Sequence, residues 1–328
     1  MPRGPRAQIA EIRHGAGSVT LTLLPNERWN GFRAGQFVRL TVEVDGVLET
    51  RCYSPACEER SGGEIEITVK AHRAGKVSRY LHEHARPGMT VGLSDAEGDF
   101  VLPAERPARL LLISSGSGIT PVMSILRTLC TERHCGAVTF LHYAPTPSHV
   151  VYRQQLAAIA AEQRNVQVVF AYTRETVAGQ LAGHISSEHL RRVACDYRRS
   201  HTYVCGAPGL IAWVRSRWAD EGIERLLRTE SFLPPSFATA RYSAAAGMVH
   251  FSRSDAQVYD DGRSLLEQAE HVGLRPPFGC RIGICRMCTC RKTAGSVRNV
   301  LSGEISSPAE EDIQLCVSVP VDNVELAL

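Results

Sequence analysis

Pro277-Phe278-Gly279-Cys280-Arg281-Ile282-Gly283-Ile284-Cys285-Arg286-Met287-Cys288, followed 28 positions later by Cys316, is the stretch from which the rest of the chain is read. Three thiolates spaced Cys-x4-Cys-x2-Cys on one tight loop must curl around a common centre, and a distant fourth closes the cage from another strand. That spacing fits a [2Fe–2S] cluster. Gly279 and Gly283 permit close backbone approach and positive φ, so that loop amides can reach the sulfurs and tune the centre. Zinc ribbons offer two separated Cys-x2-Cys pairs, whereas here there is one pair and an outlier. Zinc and free core cysteines remain the alternatives. Cys290, between Thr289 and Arg291, reads as a strand residue outside the ligand set.

The surroundings support a metal over a disulfide framework. Five of the 11 cysteines lie in the last 49 residues. Met1-Pro2-Arg3-Gly4-Pro5-Arg6 leads into no apolar run, which predicts no secretory leader and a cytoplasmic, reducing location. Runs such as Leu110-Leu111-Leu112-Ile113 are far short of the ~20 apolar residues that span a bilayer. With 44% apolar and 22% charged residues the chain is globular and not disordered. Residues 247–328 carry 8 Lys/Arg against 11 Asp/Glu, the remainder 29 against 23. An acidic module on a mildly basic body lacks the concentrated basic face of a nucleic-acid binder.

A length of 328 residues accommodates two or three domains. Residues 8–103 alternate as short strands, such as Val19–Leu23 and Phe37–Val42, between glycines at turn spacing, which predicts an antiparallel barrel or sandwich. One helix, 78–85, interrupts them before Pro87-Gly88. From Pro107 the texture changes to apolar strands (110–113, 138–141, 166–170, 202–205) alternating with helices (121–129, 152–162, 186–194), the pattern of a parallel α/β domain. Leu233-Pro234-Pro235 through Ala246-Gly247 reads as a tether to the last module.

Resemblance to known families sharpens each part. The cluster stretch is similar to the loop of plant-type ferredoxins and Ile313–Pro320 to their closing strand, which implies a β-grasp fold with Cys280, Cys285, Cys288 and Cys316 as ligands. Arg51-Cys52-Tyr53-Ser54 resembles the Arg-x-Tyr-Ser motif of the ferredoxin–NADP⁺ reductase superfamily. There an Arg neutralises the flavin phosphate, a Tyr stacks on the isoalloxazine and a Ser hydroxyl lies near the reactive N5. Val69-Lys70 with Gly75-Lys76-Val77-Ser78 resembles the second flavin motif, in which a turn opens a helix whose free N–H groups suit phosphate. FAD is expected over FMN.

Gly116-Ser117-Gly118-Ile119-Thr120-Pro121 follows an apolar strand, and Gly-x-Gly-x-x-Pro is this superfamily's nicotinamide variant of the phosphate-binding turn. Thr120 would lie near the nicotinamide. Cys205-Gly206 resembles the motif whose cysteine sits by nicotinamide C4, and Glu230-Ser231-Phe232 the Glu-x-Phe close, with Glu230 a hydrogen-bond partner for Ser54. Thr173-Arg174 stands where NADPH-using members carry Ser-Arg for the 2′-phosphate, so NADPH is expected over NADH.

The resemblance implies a multi-domain α+β protein. Its parts are an antiparallel β-barrel flavin domain (6–104), a parallel α/β nicotinamide-binding domain (105–233), a linker (234–246) and a β-grasp ferredoxin domain (247–328). It further implies an NAD(P)H-dependent reductase serving a partner oxygenase or desaturase, with Tyr53, Ser54, Cys205 and Glu230 at the reacting centre. A hybrid-cluster protein or cytochrome as acceptor, and a non-catalytic zinc-binding protein, are the alternatives.

Overall fold

The computed structural model describes residues 5–328 apart from 16, 61–62, 73–74 and 233–246, so the expected tether lies outside the described residues. The chain divides into two compact units between Phe232 and Leu233.

The first unit holds two sheets. β1 (Arg6–Gly15), β2 (Ser18–Pro25), β3 (Val38–Val44), β4 (Val47–Tyr53), β5 (Ile65–Lys70) and β6 (Thr90–Leu93) pair antiparallel in the order β4-β3-β6-β1-β2-β5. Strand alternation explains this sheet: Val19, Leu21 and Leu23, and opposite them Val38, Leu40 and Val42, point into one core while Thr20, Thr22, Arg39 and Thr41 point away. Each such side chain gains about 1.5–3 kcal/mol on burial. The two edge strands meet at one bridge, Pro55 to Ile67, where the Ala56 N–H donates to the Glu66 carbonyl at 2.7 Å. Barrel closure therefore rests on one bridge and not on a full ladder. α1 (Lys76–His84) begins two residues earlier than the sequence suggests.

The second sheet is parallel. β7 (Arg109–Ser115), β8 (Ala137–Ala144), β9 (Val166–Tyr172), β10 (Leu181–Ala182), β11 (His201–Cys205) and β12 (Leu227–Glu230) lie in the order β10-β9-β8-β7-β11-β12. β7 is apolar on both faces because both are covered. Leu110 and Leu112 pack with α2 (Ile119–Thr131), while Leu111 and Ile113 pack with α4 (Ser187–Val193), α5 (Pro208–Asp220) and the fully buried Trp218. α3 (Arg153–Glu162) completes the first face. α5 and β12 continue the domain beyond the last strand expected from the sequence, with Leu210, Ile211, Val214 and Trp218 as an apolar stripe behind Pro208.

α2 also fastens the two sheets together. Its Ser124 hydroxyl donates to the Cys57 carbonyl at 2.6 Å, its Thr128 hydroxyl accepts from the Glu59 N–H at 2.8 Å, and its Arg127 donates to the Ala56 carbonyl and Glu66, each at 2.7 Å. Beside it Tyr152, in the left-handed region at φ +64°, hydrogen-bonds Thr68 of β5 and lies under the Arg127 guanidinium.

In the second unit, β13 (Met248–Phe251), β14 (Ala256–Tyr259), β15 (Thr289–Ala294), β17 (Glu311–Gln314) and β19 (Val324–Leu326) form a sheet ordered β14-β13-β19-β15-β17. A two-stranded ribbon pairs β16 (Val297–Asn299) with β18 (Ser318–Pro320). α6 (Leu265–His271), started by a Ser264–Glu267 capping box, lays Leu265, Leu266 and Ala269 on Val249, Phe251 and Leu326. This is the expected β-grasp. Lys292 is wholly buried and gives its ammonium to the Ser307 and Ala309 carbonyls at 2.9 and 2.6 Å. No helix among the described residues is long and apolar enough to cross a membrane.

Candidate functional site

The thiol loop is already curled. Arg281, Gly283 and Arg286 take φ values of +59°, +80° and +53°, three left-handed turns within six residues. Two of them are arginines, which sequence alone does not indicate. Gly279 is needed for room rather than for positive φ: a Cβ there would stand 2.9 Å from Cys285 Sγ. The amides of Cys280 and Cys285 point at each other's sulfurs at 3.2 and 3.3 Å, and the Ile282 amide at Cys280 Sγ at 3.5 Å. Cys316 arrives on the turn after β17, where the Leu315 N–H donates to the Cys288 carbonyl at 3.1 Å. The Cys316 thiol hydrogen-bonds Cys288 and draws its pKa down, while that same bond pushes Cys316 up. A metal bound by both thiolates would displace their remaining protons to solvent. The convergence of four largely enclosed sulfurs with amides aimed at them fits a [2Fe–2S] cluster. Cys290 sits in the apolar core of β15.

On the first sheet, Arg51 and Tyr53 lie on β4 opposite Leu40 and Val38, and Ser54 follows. Glu49 joins the two expected flavin motifs: its carboxylate reaches Arg51 Nη1 at 3.4 Å and Lys76 Nζ at 3.1 Å. Gly75, not Ser78, occupies the N-cap of α1 and offers no side-chain cap, so the first amides of the helix are uncapped by a side chain. The Ser78 hydroxyl turns back onto the Gly75 carbonyl at 3.3 Å. Val69 and Val77 are core residues and Lys70 is exposed. Ser54 is 2% exposed, and its Oγ has no hydrogen-bond partner among the described residues. A buried hydroxyl without a partner, beside a tyrosine, fits the polar edge of a flavin.

The parallel sheet supplies the second half. Strand order reverses between β7 and β11, and in open α/β sheets the crevice at such a reversal holds the ligand. The two expected glycine motifs stand on those strand ends. Gly116–Gly118 forms a 3-10 turn running into α2, with Ile119, Thr120 and Pro121 buried in the first turn and the Thr120 hydroxyl on the Ser117 carbonyl at 3.2 Å. A Cβ on Gly118 would lie 2.2 Å from the Cys205 carbonyl oxygen, and one on Gly206 2.2 Å from Ser115 Oγ. Thr173 and Arg174 follow β9 on the same rim, held by backbone bonds to Ala144 and Pro145, with Arg174 exposed.

Register reveals what the sequence reading missed. Glu230 pairs with Cys205, Cys205 with Ser114, and Ser114 with His142. These four form one buried polar row across the strand ends. Ser114 Oγ and His142 Nδ1 are 2.8 Å apart. Burial, with Lys70 nearby, drives the His142 imidazole down to about 3, so it is neutral. Burial pushes Glu230 up to about 8 and, with Glu230 beside it, lifts the Cys205 thiol well above its usual range. Only the shared strand face could have hinted at Ser114 and His142. The expected Ser54–Glu230 hydrogen bond is not made: Glu230 Oε2, like Ser54 Oγ, is buried without a partner among the described residues.

Glu230 yields a pH prediction. The unfolded chain releases this proton near 4.5 and the folded chain near 8. The group's contribution to stability is therefore full below about pH 4.5, drains as pH rises and is gone above about pH 8. From about pH 6 to about pH 9, the Tm of the native chain should fall several degrees more than that of Glu230→Gln, whose amide does not titrate. Parallel Tm curves would refute the assignment.

Fold and site together define an oxidoreductase that joins a flavin lobe, a nicotinamide lobe and an iron–sulfur module. The chain matches the oxidoreductase FAD-binding domain over residues 8–101, the oxidoreductase NAD-binding domain over 112–216 and the 2Fe-2S iron-sulfur cluster binding domain over 249–321. It is 33% identical over 319 residues to an NADPH oxidoreductase of Mycobacterium tuberculosis, covering 95% of this chain and 81% of that protein. To the glycine betaine monooxygenase reductase subunit of Pseudomonas aeruginosa it is 28% identical, over 89% and 86% of the two chains. The fold is that of phthalate dioxygenase reductase, with a TM-score of 0.65 at 22% identity over 98% and 97% of the two chains. The chain belongs to the ferredoxin–NADP⁺ reductase superfamily, in the arrangement with a C-terminal [2Fe–2S] ferredoxin domain. It is an NAD(P)H-dependent oxidoreductase with FAD, nicotinamide and [2Fe–2S] domains.

Proposed function

We propose that this chain is the cytoplasmic reductase component of an oxygenase or desaturase system, drawing on NADPH and delivering electrons one at a time to the protein that carries out substrate chemistry. Bound FAD takes up the electron pair of a hydride and releases it singly, and a [2Fe–2S] cluster carries one electron. What supports the reading is the thiol loop of Cys280, Cys285 and Cys288, with Cys316 on the adjoining turn, in a chain that also matches FAD-binding and NAD-binding domains.

In this reading Arg51, Lys76 and the α1 amides, with Gly75 and Val77 shaping the turn, hold the flavin phosphates, and Val69 and Lys70 flank the ring. Tyr53 stacks on the ring, and Ser54 donates toward its reducible nitrogen. Gly116, Ser117 and Gly118 seat the nicotinamide pyrophosphate, and Ile119 and Pro121 set the helix behind it. Thr120, Gly206 and the neutral pair Cys205–Glu230 enclose the nicotinamide, and Thr173 with Arg174 grips the 2′-phosphate. The lobes are taken as 6–104, 105–233 and 247–328, with the linker at 234–246. That relatives include an oxygenase reductase subunit supports the choice of acceptor.

Anaerobic titration with NADPH tests the core of this reading: flavin and cluster absorbance should both bleach, and a colourless protein after reconstitution would refute it. Ser54→Ala should slow flavin reduction by about tenfold to a hundredfold at unchanged FAD content, the worth of one hydrogen bond to a charge-bearing group. Stopped-flow absorbance measures this directly. Arg174→Glu should lower kcat/KM for NADPH by about tenfold or more and leave NADH nearly untouched. Equal losses with both nicotinamides would remove Arg174 from the 2′-phosphate site.

A further inference from the structure

We propose that Gln314 is a positioning residue for the iron–sulfur cluster, locking the one glycine that joins the three-thiol loop to the fourth thiol. The proposal rests on the cluster reading above.

Gln314 is the last residue of β17, two positions before Cys316, and its Nε2 donates to the Gly283 carbonyl at 2.8 Å. Gly283 lies between Cys280 and Cys285, at φ +80°. Its α-carbon abuts the closing turn so tightly that a Cβ would stand 2.9 Å from Val317 Cγ1 and 2.8 Å from Leu301 Cδ1. On either side of it the amides of Ile282 and Cys285 both point at Cys280 Sγ, at 3.5 and 3.3 Å. Gly283 is therefore the pivot of that turn: amides before and after it face a loop sulfur, and its carbonyl is held by Gln314.

Those amides lie on opposite sides of Gly283, so its φ and ψ help set how both face the sulfur. Glycine is the residue least able to hold such a relation by itself, since it populates left- and right-handed regions almost equally. The space demands glycine and the hydrogen bond demands a fixed conformation. Gln314 reconciles the two by tying down the carbonyl plane, which keeps the amides before and after it aimed at sulfur. Amide hydrogen bonds to cluster sulfurs stabilise the added negative charge of the reduced state, so their alignment sets the potential.

The test uses the full-length, FAD-loaded protein. Gln314→Met keeps the length and removes the donor; Gln314→Glu keeps the shape and places an acceptor against the carbonyl. At a fixed solution potential, the ratio of reduced to oxidised cluster, read by electron paramagnetic resonance, should fall about threefold to tenfold in Gln314→Met, the scale of one hydrogen bond. It should fall further in Gln314→Glu. Iron should be lost to a chelator several times faster in both variants, while flavin reduction by NADPH keeps its native rate. A variant that keeps FAD and native circular dichroism but retains no cluster also supports the role. Native potential and native iron retention in Gln314→Met would overturn it. A native protein that takes up no cluster would instead overturn the cluster reading on which the proposal stands.

Discussion

Replacing Cys316 with alanine should leave a protein that accepts hydride yet delivers almost no single electrons. Cys316 is 3% exposed and sits on the turn after β17, where the Leu315 N–H donates to the Cys288 carbonyl. Its loss opens the cage on the side that the loop cannot reach, because Cys280, Cys285 and Cys288 all come from one short stretch. Losing an outer partner of a metal ligand costs about 10- to 100-fold in affinity or activity, so losing a ligand should cost on the order of a hundredfold or more in reduction of a one-electron acceptor. Iron content should drop in step. Reduction of the flavin by NADPH should continue near its native rate, because that chemistry belongs to the other compact unit. Full iron content and full acceptor turnover in Cys316→Ala would place the cluster elsewhere.

The second large effect is expected from a single methyl group. Gly118→Ala puts a carbon 2.2 Å from the Cys205 carbonyl oxygen, 2.4 Å from its carbon and 2.7 Å from the Gly206 nitrogen. All three are backbone atoms of β11 and its turn, so no side chain can swing aside. The two glycine turns must part, and parting them dismantles the crevice in which the nicotinamide is expected. Overpacking of this kind costs about 1–3 kcal/mol, which corresponds to roughly fivefold to over a hundredfold in kcat/KM for NADPH when the strain falls on the bound state. Gly209→Ala is the matched control: it sits in α5 with open space around it, so it should be neutral or slightly stabilising. Steady-state kinetics on both variants measures the contrast. Equal behaviour would mean that the Gly118–Cys205 approach is not part of the nicotinamide site.

The sequence displays most of the architecture because its signals are local. Cys-x4-Cys-x2-Cys, the unbroken apolar run of β7 and the alternation in β2 and β3 each announce their surroundings within a few residues. What it conceals depends on strand register. Ser114 and His142 are 28 residues apart and become partners only when β7 and β8 align. Glu49 reads as an ordinary acidic strand residue until α1 brings Lys76 beside Arg51. Arg281 and Arg286 take a left-handed backbone that residue type disfavours, imposed by the closure of the thiol loop. The expected Ser54–Glu230 bond is likewise a matter of tertiary placement, and both oxygens are buried without a partner among the described residues.

α2 begins at the dinucleotide turn and ends in a row of bonds to residues 56–59, the segment just after the flavin motif. On the proposed reading, hydride donor and hydride acceptor hang from a common mast, and neither lobe can be retuned in isolation. A change at Ser124, Arg127 or Thr128 moves both ends of the transfer. Pairs of variants drawn from opposite lobes should then show epistasis, so their individual effects are no guide to the combination.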